Sequence, residues 1–253
     1  AARTHGIRFM GPNCLGLIRP SLGLNATFGN NSASEGGIAL VSQSGALCTS
    51  ILDWAENRDV GFSAVVSTGI AADVDFGDIL DYLASDPKTE SIILYVEGLT
   101  DSRRFMSGLR AAARIKPVIA IKAGRSTEGA AASMSHTGAL VGGDEAFTAA
   151  LNRSGVVRVD TISQVFAAAG TLSSKYKSAG NRLAIITNAG GPAVLATDRA
   201  PEVKLDIAEL SDDTMKELNE VLPATWSHGN PVDIIGDAPP ERYQAAIDIV
   251  LKD

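Results

Sequence analysis

Short apolar runs alternate with longer helix-like stretches through the first two thirds of the chain. The apolar runs cover residues 38–41, 62–66, 91–96, 117–121 and 156–159, and the helix-like stretches cover 46–57, 75–84, 102–115, 144–153 and 162–173. Strands that are apolar on both sides belong to parallel sheets, because the connecting helices cover both faces. The pattern therefore predicts an α/β fold, with a doubly wound, flavodoxin-like parallel sheet of five strands over residues 37–174.

A second unit is predicted after a polar linker at residues 175–182. Strands are expected at about 183–186 and at 231–235, with a helix that ends near Arg199 and further helices at 212–222 and 241–251. At most three strands can be assigned here, which is fewer than a doubly wound domain needs. We therefore expect a partial second flavodoxin-like domain over residues 183–253, and we interpret it as truncated.

The first 36 residues do not follow the alternating pattern. Residues 7–10 could form a strand, and the segment Gly11–Gly16 is typical of a turn. We interpret residues 1–20 as the end of another domain. Residues 21–36 are rich in Gly, Asn and Ser, which predicts a linker.

Composition and charge narrow the class of protein. The chain has 253 residues, of which 45% are hydrophobic and 20% charged, as is typical of globular proteins. It has no apolar run of about 18 residues, and its first residues do not resemble a signal peptide. A net charge of −7 without a basic cluster argues against nucleic acid or an anionic membrane as partner. Cys14 and Cys48 lack metal-ligand spacing, so we expect reduced thiols and a cytoplasmic location.

Two segments repeat one pattern of strand, small polar loop and helix. They are Ser42–Gly45 and Asn188–Gly191, each after an apolar run. Such helix N-termini combine free N–H groups with the positive end of the helix dipole, and they bind anions. Two of them converging would hold a phosphate without basic side chains. Ordinary βα turns are the alternative that the pattern leaves open.

His136 lies in the small-residue run 131–142, which we predict to be a loop after the fourth strand. We hypothesise that it is a nucleophile that is transiently phosphorylated. Glu97 ends the third strand, at the sheet edge where sites in such folds lie, and a carboxylate there can orient the imidazole. A loop histidine held by backbone groups and a solvated strand end are the alternatives.

Other motifs are weaker or absent. Asp73, Asp75 and Asp78 could form a metal site, but helix capping is favoured. The sequence contains no P-loop, no dinucleotide-binding glycine motif after a strand and no Gly-x-Ser-x-Gly hydrolase motif.

Six short motifs, in this order, resemble those of the NDP-forming acyl-CoA synthetases, relatives of the succinyl-CoA synthetase alpha subunit. They are Gly11–Gly16, Val41–Ala46, Tyr95–Gly98, Ser135–Ala139, Thr187–Gly191 and Asn230–Asp233. The resemblance implies a phosphohistidine at His136 with Glu97 as its carboxylate partner. It also implies that Asn13 and Cys14 bind CoA or the acyl group. The phosphate-binding residues that it implies are Ser42, Gln43, Ser44, Gly45, Asn188, Gly190 and Gly191.

The resemblance further implies an acid–thiol ligase that converts a short carboxylic acid, CoA and ATP to acyl-CoA, ADP and phosphate. ATP or ADP with Mg²⁺ would bind to an ATP-grasp domain or subunit, and CoA to a Rossmann-like domain of which residues 1–20 would be the last strand. We therefore expect this chain to be catalytically incomplete alone and to work in a homo- or hetero-oligomer.

Two alternatives remain open from the sequence. Residues 51–55, 78–84 and 99–105 resemble bacterial protein lysine acetyltransferases, in which a synthetase-like, acyl-CoA-sensing region is fused to a C-terminal GNAT domain. Retention of His136 and Glu97 favours ligase chemistry over this interpretation and over a pure acyl-CoA-binding module. A fused protein with both activities would reconcile the two resemblances. At position 70 many synthetases carry a polar residue, whereas this chain has Ile70. This difference weakens any inference about which acid is activated.

Overall fold

The computed structural model describes residues 2–137, 143–173, 178 and 180–253, without the side chains of residues 3, 133–137 and 173. The chain divides into two compact units, Ala1–Lys175 and Tyr176–Asp253. Among the described residues, no helix combines the length and the apolar character that crossing a membrane requires.

The first unit is built on a seven-stranded sheet. Its strands are β1 Gly16–Arg19, β2 Leu24–Thr27, β3 Glu35–Ser42, β4 Phe62–Ser67, β5 Ser91–Val96, β6 Val118–Lys122 and β7 Val157–Val159. They lie in the order β2-β1-β4-β3-β5-β6-β7. β3 to β7 are parallel, whereas β1 pairs antiparallel with both β2 and β4. The five parallel strands have the flavodoxin order, so the predicted fold class is confirmed.

Helices cover both faces of this sheet. They are α1 Gly45–Glu56, α2 Phe76–Ser85, α3 Ser102–Ala113, α4 Thr127–Thr137, α5 Asp144–Arg153 and α6 Ile162–Ser173. Successive residues of β3 serve the two faces in turn: Ala39 and Val41 pack with α2, α3 and α5, and Ile38 and Leu40 pack with α1 and α6. Burial on both faces explains why this strand is an unbroken apolar run.

The strand order places a crevice at the carboxyl ends of β3 and β5. The first parallel strand, β3, has β4 on one side and β5 on the other. The chain therefore crosses in opposite directions from the carboxyl ends of β3 and β5, which opens a crevice there. Ser42 ends β3, residues 43–45 follow it and Glu97 follows β5, so these predicted site residues lie at this crevice.

The predicted N-terminal boundaries were wrong. Residues 7–10 form no strand, whereas β1 and β2 form a hairpin at the edge of the sheet, so the linker expected at 21–36 contains a strand. Ile18 is buried in the core beneath α1, and Gly23, with φ of 60°, closes the hairpin turn. The hairpin joins the sheet because Leu17 and Ile18 pair with β4, so residues 16–27 are not part of a separate domain.

The prediction of a loop at residues 131–142 was also wrong up to residue 137, because residues 127–137 form the helix α4. Ser126 Oγ accepts the Gly129 amide at 3.0 Å and caps the helix. Ala130–Ala132 then favour helix, since alanine has the highest helix propensity. The end of the predicted loop, residues 138–142, lies outside the described residues.

The second unit contains short strands and three longer helices. They are β8 Arg182–Leu183, β9 Ile186–Thr187, β10 Asp206–Ile207 and β11 Val232–Asp233, with α7 Gly190–Glu202, α8 Asp212–Val221 and α9 Pro240–Val250. β8 pairs with β10 and β9 with β11, both parallel. The three predicted helices are confirmed, but β10 was missed and the predicted strand at 183–186 is split in two.

A buried ion pair attaches the hairpin to the rest of the first unit. Arg19 Nη1 donates to Asp86 Oδ2 at 2.8 Å, and their side chains are 11% and 5% exposed. Thr89 Oγ1 donates to the same carboxylate at 2.7 Å. Burial alone raises the pKa of Asp86, but the hydrogen bonds from Arg19, Thr89 and the Lys88 amide outweigh burial and lower the pKa to about 2.

Arg19→Met is expected to lower the free energy of unfolding by ~3 kcal/mol near neutral pH, because a buried carboxylate loses its cation. The folded-state pKa of Asp86 lies below its ordinary value of 3.8. The contribution of the carboxylate, about 2 kcal/mol, is therefore present above the ordinary pKa and is lost as the pH falls through the folded-state pKa. Urea denaturation across this acid range measures both effects.

Lys88→Met is the matched control for this experiment, since it removes the exposed pair between Lys88 and Glu35. We expect it to change the free energy of unfolding by less than ~1 kcal/mol. An Arg19→Met effect no larger than that of Lys88→Met would contradict the assigned role of the buried pair.

Candidate active site

The backbone of Glu97 is held from two sides where β5 ends. Gln43 Oε1 accepts the Glu97 amide at 2.6 Å and the Gly98 amide at 3.0 Å. Lys122 Nζ, at the end of the neighbouring β6, donates to the Glu97 carbonyl oxygen at 2.7 Å. Glu97 itself is 6% exposed. Its peptide groups are thus fixed by the strands on both sides of β5.

Tyr95 lies on the same face of β5 as Glu97, two residues earlier, and its hydroxyl group hydrogen-bonds to the Glu97 side chain. Burial, the charge of Glu97 and this hydrogen bond together raise the pKa of Tyr95 to about 12. The phenol therefore stays protonated at neutral pH and serves as a donor to the carboxylate.

Glu97 opens into a cavity of about 360 Å³, the glutamate cavity. The residues that line it are Ser44, Tyr95, Glu97, Ala123, Gly124, Gly129 and Ala132. Gly124 has a φ of 70°, which glycine adopts without strain and which turns the chain from β6 towards α4. Gly129 and Ala132, the residues of α4 that line the cavity within the described part of the chain, are small, so a ligand can approach the backbone there closely.

The N-terminus of α1 forms the other side of the crevice. Ser42 Oγ accepts the Ser44 amide at 3.0 Å and donates to the Ser44 carbonyl oxygen at 2.9 Å, which fixes the turn. Ser44 Oγ accepts the Leu47 amide at 3.2 Å and caps the helix. The Gly45 and Ala46 amides, the first two of the helix, have no acceptor within it and can receive an anion.

A second cavity, of about 410 Å³, lies at the same helix end and also reaches Ser44. We call it the cysteine cavity. Its lining residues are Asn13, Cys14, Leu15, Phe28, Gln43, Ser44, Gly45, Ala46, Thr49, Gly69 and Ile70. Because Ser44 lines both cavities, the glutamate and cysteine cavities adjoin at the N-terminus of α1.

The loop that carries Asn13 and Cys14 is held against the segment after β4. The Ile70 amide donates to the Pro12 carbonyl oxygen at 3.0 Å, and the Ala72 amide donates to that of Gly11 at 2.9 Å. A Cβ atom on Gly69 would lie 2.3 Å from the Asn13 carbonyl oxygen, and the φ of Gly69 is 54°. Only glycine fits there.

The second unit contains a turn with the same hydrogen bonds. Thr187 Oγ1 accepts the Ala189 amide at 3.0 Å and donates to the Ala189 carbonyl oxygen at 3.1 Å, as Ser42 does with Ser44. Gly190 and Gly191 are the first residues of α7. The Asn188 amide donates to the Tyr243 hydroxyl at 3.1 Å. The internal repeat predicted from the sequence therefore extends to individual hydrogen bonds.

The structure brings some predicted site residues together. Glu97 and Ser44 share the glutamate cavity, and Asn13, Cys14, Gln43, Ser44 and Gly45 share the cysteine cavity. Ser42 is fully buried and shapes the turn. The side-chain oxygen of Gln43 is directed to the Glu97 and Gly98 amides, so it is not available to a ligand. His136 is in the last turn of α4, and its side chain lies outside the described part of the chain.

The aspartates that could suggest a metal site have structural roles. Asp75 and Asp78 form a capping box at the start of α2, as the capping interpretation predicted. Asp78 also pairs with Arg8 and Arg104, and Asp73 pairs with Arg8. These contacts with arginine and with backbone amides use the carboxylates for the fold.

Sequence reasoning missed Tyr95 and Lys122. Tyr95 begins the motif Tyr95–Gly98, but the apolar pattern identifies it only as a strand residue. Lys122 follows the apolar run 117–121 directly, and β6 includes it. A charged residue that continues a fully buried strand is a signal that could have been used, because burying a lysine without partners is costly.

Comparison with known proteins agrees with the geometry. Residues 35–172 match the succinyl-CoA ligase-like flavodoxin domain, and residues 183–253 match the ligase-CoA domain. The chain belongs to the succinyl-CoA ligase-like flavodoxin family. The family assignment predicted from the sequence motifs is therefore confirmed.

Several relatives in this family are named CoA ligases. The chain is 44% identical to an ADP-forming acetate–CoA ligase of Archaeoglobus fulgidus, over all of this chain and 36% of that protein. It is 42% identical to the alpha subunit of an ADP-forming acetate–CoA ligase of Pyrococcus furiosus, over 97% of this chain and 53% of that subunit. The chain thus spans about a third to a half of these curated relatives.

A solved structure has the same fold over the whole chain. It is acetyl-coenzyme A synthetase 1 of Ca. Korarchaeum cryptofilum in complex with phosphate and ADP. The TM-score is 0.93 at 34% sequence identity, and the match covers all of this chain and 55% of that one.

We expect iodoacetamide to modify Cys14 and not Cys48 in the native protein. Cys14 is half-buried and lines the cysteine cavity, whereas Cys48 is fully buried in α1. Burial raises the pKa of Cys48 to about 12, so the reactive thiolate is negligible at neutral pH. Peptide mapping by mass spectrometry gives the modified site. Denatured protein, in which both thiols react, is the control, and native labelling of Cys48 as fast as Cys14 would refute the prediction.

Proposed function

We propose that this chain is the phosphohistidine-bearing part of an NDP-forming acyl-CoA synthetase of the ADP-forming acetate–CoA ligase type. The complete enzyme would interconvert a carboxylic acid, CoA and ATP with acyl-CoA, ADP and phosphate. One observation carries the proposal: the cavity of Glu97 and the cavity of Cys14 share Ser44, the residue that caps α1. The ligase names of the relatives support the reaction class.

The first step, in the direction of ATP synthesis, forms an acyl phosphate. Phosphate bound at the Gly45 and Ala46 amides attacks the thioester carbonyl carbon of acyl-CoA. A carbon–oxygen bond forms, the carbon–sulfur bond breaks and the CoA thiolate leaves. The helix N-terminus stabilises the negative charge of the phosphate oxygens. Asn13 and Cys14, in the same cavity, lie on the side of the acyl group and the CoA sulfur.

The second step moves the phosphoryl group to His136. One imidazole nitrogen attacks phosphorus, a nitrogen–phosphorus bond forms, and the carboxylate leaves with the electron pair of the broken phosphorus–oxygen bond. Glu97 accepts the N–H of the other imidazole nitrogen and stabilises the positive charge on the ring. The phosphoryl group then passes to ADP, and the imidazole is regenerated.

The position of His136 on α4 supports this assignment. Gly129 and Ala132 line the glutamate cavity. Residue 136 follows them by seven and four positions on the same helix, and at 3.6 residues per turn all three positions fall on one helix face.

Other parts of the enzyme supply the remaining substrates. We assign ATP or ADP with Mg²⁺ to an ATP-grasp domain or subunit and CoA to a CoA-binding domain, in a homo- or hetero-oligomer located in the cytoplasm. The amides of Gly190 and Gly191, with Asn188 beside them, are proposed as a further phosphate-binding end. Named alpha subunits among the relatives support this division. Nothing in the comparisons supports a fused acetyltransferase.

Incubation of the complete enzyme with acetyl-CoA and radiolabelled phosphate is expected to place acid-labile, base-stable phosphate on His136. His136→Ala should abolish the label. Glu97→Gln should slow labelling by ~10² to 10⁴-fold, because the carboxylate no longer orients or stabilises the imidazole. Single-turnover labelling followed by peptide mapping measures both effects.

His5→Ala is the matched control, because His5 is exposed near the start of the chain. It should leave the labelling rate unchanged. Wild-type enzyme without phosphohistidine under any donor, or normal turnover by His136→Ala, would overturn the proposed function.

A further inference from the structure

Among the described residues, the lining of the cysteine cavity includes no Asp, Glu, Lys, Arg or His. Within this described lining, the helix amides of α1 are therefore the source of positive potential for a charged group on a substrate. Those amides belong to Gly45 and Ala46, which line the cavity.

The cavity also has an open, apolar part. Phe28 is 83% exposed and Ile70 is 40% exposed, and both contribute to the lining. The Phe28 amide donates to the Leu15 carbonyl oxygen at 3.3 Å, which places the β2 end of the hairpin at this cavity. The cavity thus has an anion-binding end and an apolar end, as a pocket for an amphipathic acid requires.

We propose that the acid used by this enzyme is a monocarboxylic acid with an uncharged, apolar chain longer than that of acetate. Its carboxylate or acyl phosphate binds at the α1 amides, and its chain contacts Ile70 and Phe28. A dicarboxylic acid of similar length is rejected, because its second carboxylate would enter the apolar end without a cation. This inference rests on the proposed function and adds the substrate class to it.

The test compares kcat/KM of the complete enzyme for acetate, isovalerate and succinate, with CoA and ATP. We expect kcat/KM to rise by at least ~10-fold from acetate to isovalerate, since each buried methylene adds to binding. Succinate should be at least ~100-fold poorer than isovalerate. Ile70→Arg should reverse much of this preference by giving the second carboxylate a partner, with a relative gain for succinate of ~10-fold.

Ile115→Arg is the matched control, because Ile115 is an exposed isoleucine outside the cavity lining. It should leave the ratio of the two acids unchanged. If phosphohistidine forms but succinate or acetate is preferred, this inference is wrong while the proposed function stands. If no phosphohistidine forms with any of the acids, the proposed function itself fails.

A second inference comes from a different observation, the burial of Lys122. This side chain is 4% exposed and ends a strand whose other residues are buried and apolar. Its ammonium group donates to the carbonyl oxygens of Glu97 and Ala123, and it lies 5.8 Å from the centre of the Phe147 ring. Burial lowers the pKa of Lys122, while the charges of Asp144 and Glu97 act in the opposite direction.

The two carbonyl groups that Lys122 binds follow neighbouring, paired strands. Glu97 and Ala123 both line the glutamate cavity, one after β5 and the other after β6. We infer that Lys122 is a positioning residue, which fixes these two strand ends so that the Glu97 carboxylate keeps its orientation. Gln43 fixes Glu97 from the other side, because its Oε1 atom accepts the Glu97 amide.

Lys116 provides an unusually close control. Its ammonium group also donates to two backbone carbonyl oxygens, those of Leu83 and Asp86, each at 2.6 Å, but these do not line the glutamate cavity. Lys122→Met should reduce the single-turnover rate of His136 phosphorylation by ~100-fold, with KM for acyl-CoA within ~2-fold, because a small displacement of a reacting group is costly. Lys116→Met should lower the melting temperature without this loss of rate.

Lys122→Arg, which keeps a donor at this position, should recover part of the rate. Thermal unfolding of each variant separates folding from positioning. Equal effects of Lys122→Met and Lys116→Met on the rate, or a change in KM that accounts for the loss of Lys122→Met, would overturn the positioning role.

Discussion

The carboxamide of Gln43 connects the two strands whose ends form the site. β3 and β5 are neighbours, but beyond their last residues the chain turns away in opposite directions, and the backbone groups there lose their partners in the sheet. Buried amides without acceptors are costly. Gln43 Oε1 supplies an acceptor for the amides of Glu97 and Gly98, so the point where the sheet opens is also where its backbone is firmly held. The crevice can therefore form without leaving these buried amides unpaired.

Electrostatics at this crevice depend on backbone groups more than on basic side chains. The chain carries a net charge of −7, and the cations near the site are already engaged. Lys122 binds carbonyl oxygens, Arg158 pairs with Asp144, and Arg125 pairs with Asp160. An anion at the N-terminus of α1 therefore interacts with N–H dipoles fixed by Ser42 and Ser44. Fixed dipoles need no reorganisation when charge moves, which suits phosphoryl transfer between oxygen and nitrogen.

The sequence predicted the parallel sheet because burial on both faces leaves a clear apolar pattern, as in residues 91–96. It did not predict the hairpin of β1 and β2, since two strands of four residues at an edge carry little pattern and their Gly and Asn resemble a linker. The helix α4 was missed for another reason. A run of small residues favours the prediction of a loop, although the three alanines at 130–132 are strong helix formers. Glu97 could be found from its place after a strand, but its holders, Gln43 and Lys122, are set by contacts between strands that spacing along the chain does not reveal.

The turns before α1 and α7 leave their first two helix amides open by different chemistry. In α1 the third amide, that of Leu47, is taken by the capping side chain of Ser44. In α7 the cap position is Ala189, which has no side-chain oxygen, yet the third residue of that helix is Pro192, which has no amide hydrogen. In both helices the first two amides are therefore open, and the third residue has no unsatisfied amide hydrogen. Alanine is ordinarily a poor N-cap residue, but Ala189 costs little stability here because Pro192 has no amide hydrogen for a cap to accept. The repeat thus preserves a pair of open amides in each unit, and this pair, more than any one side chain, is the basis of the proposed phosphate-binding ends.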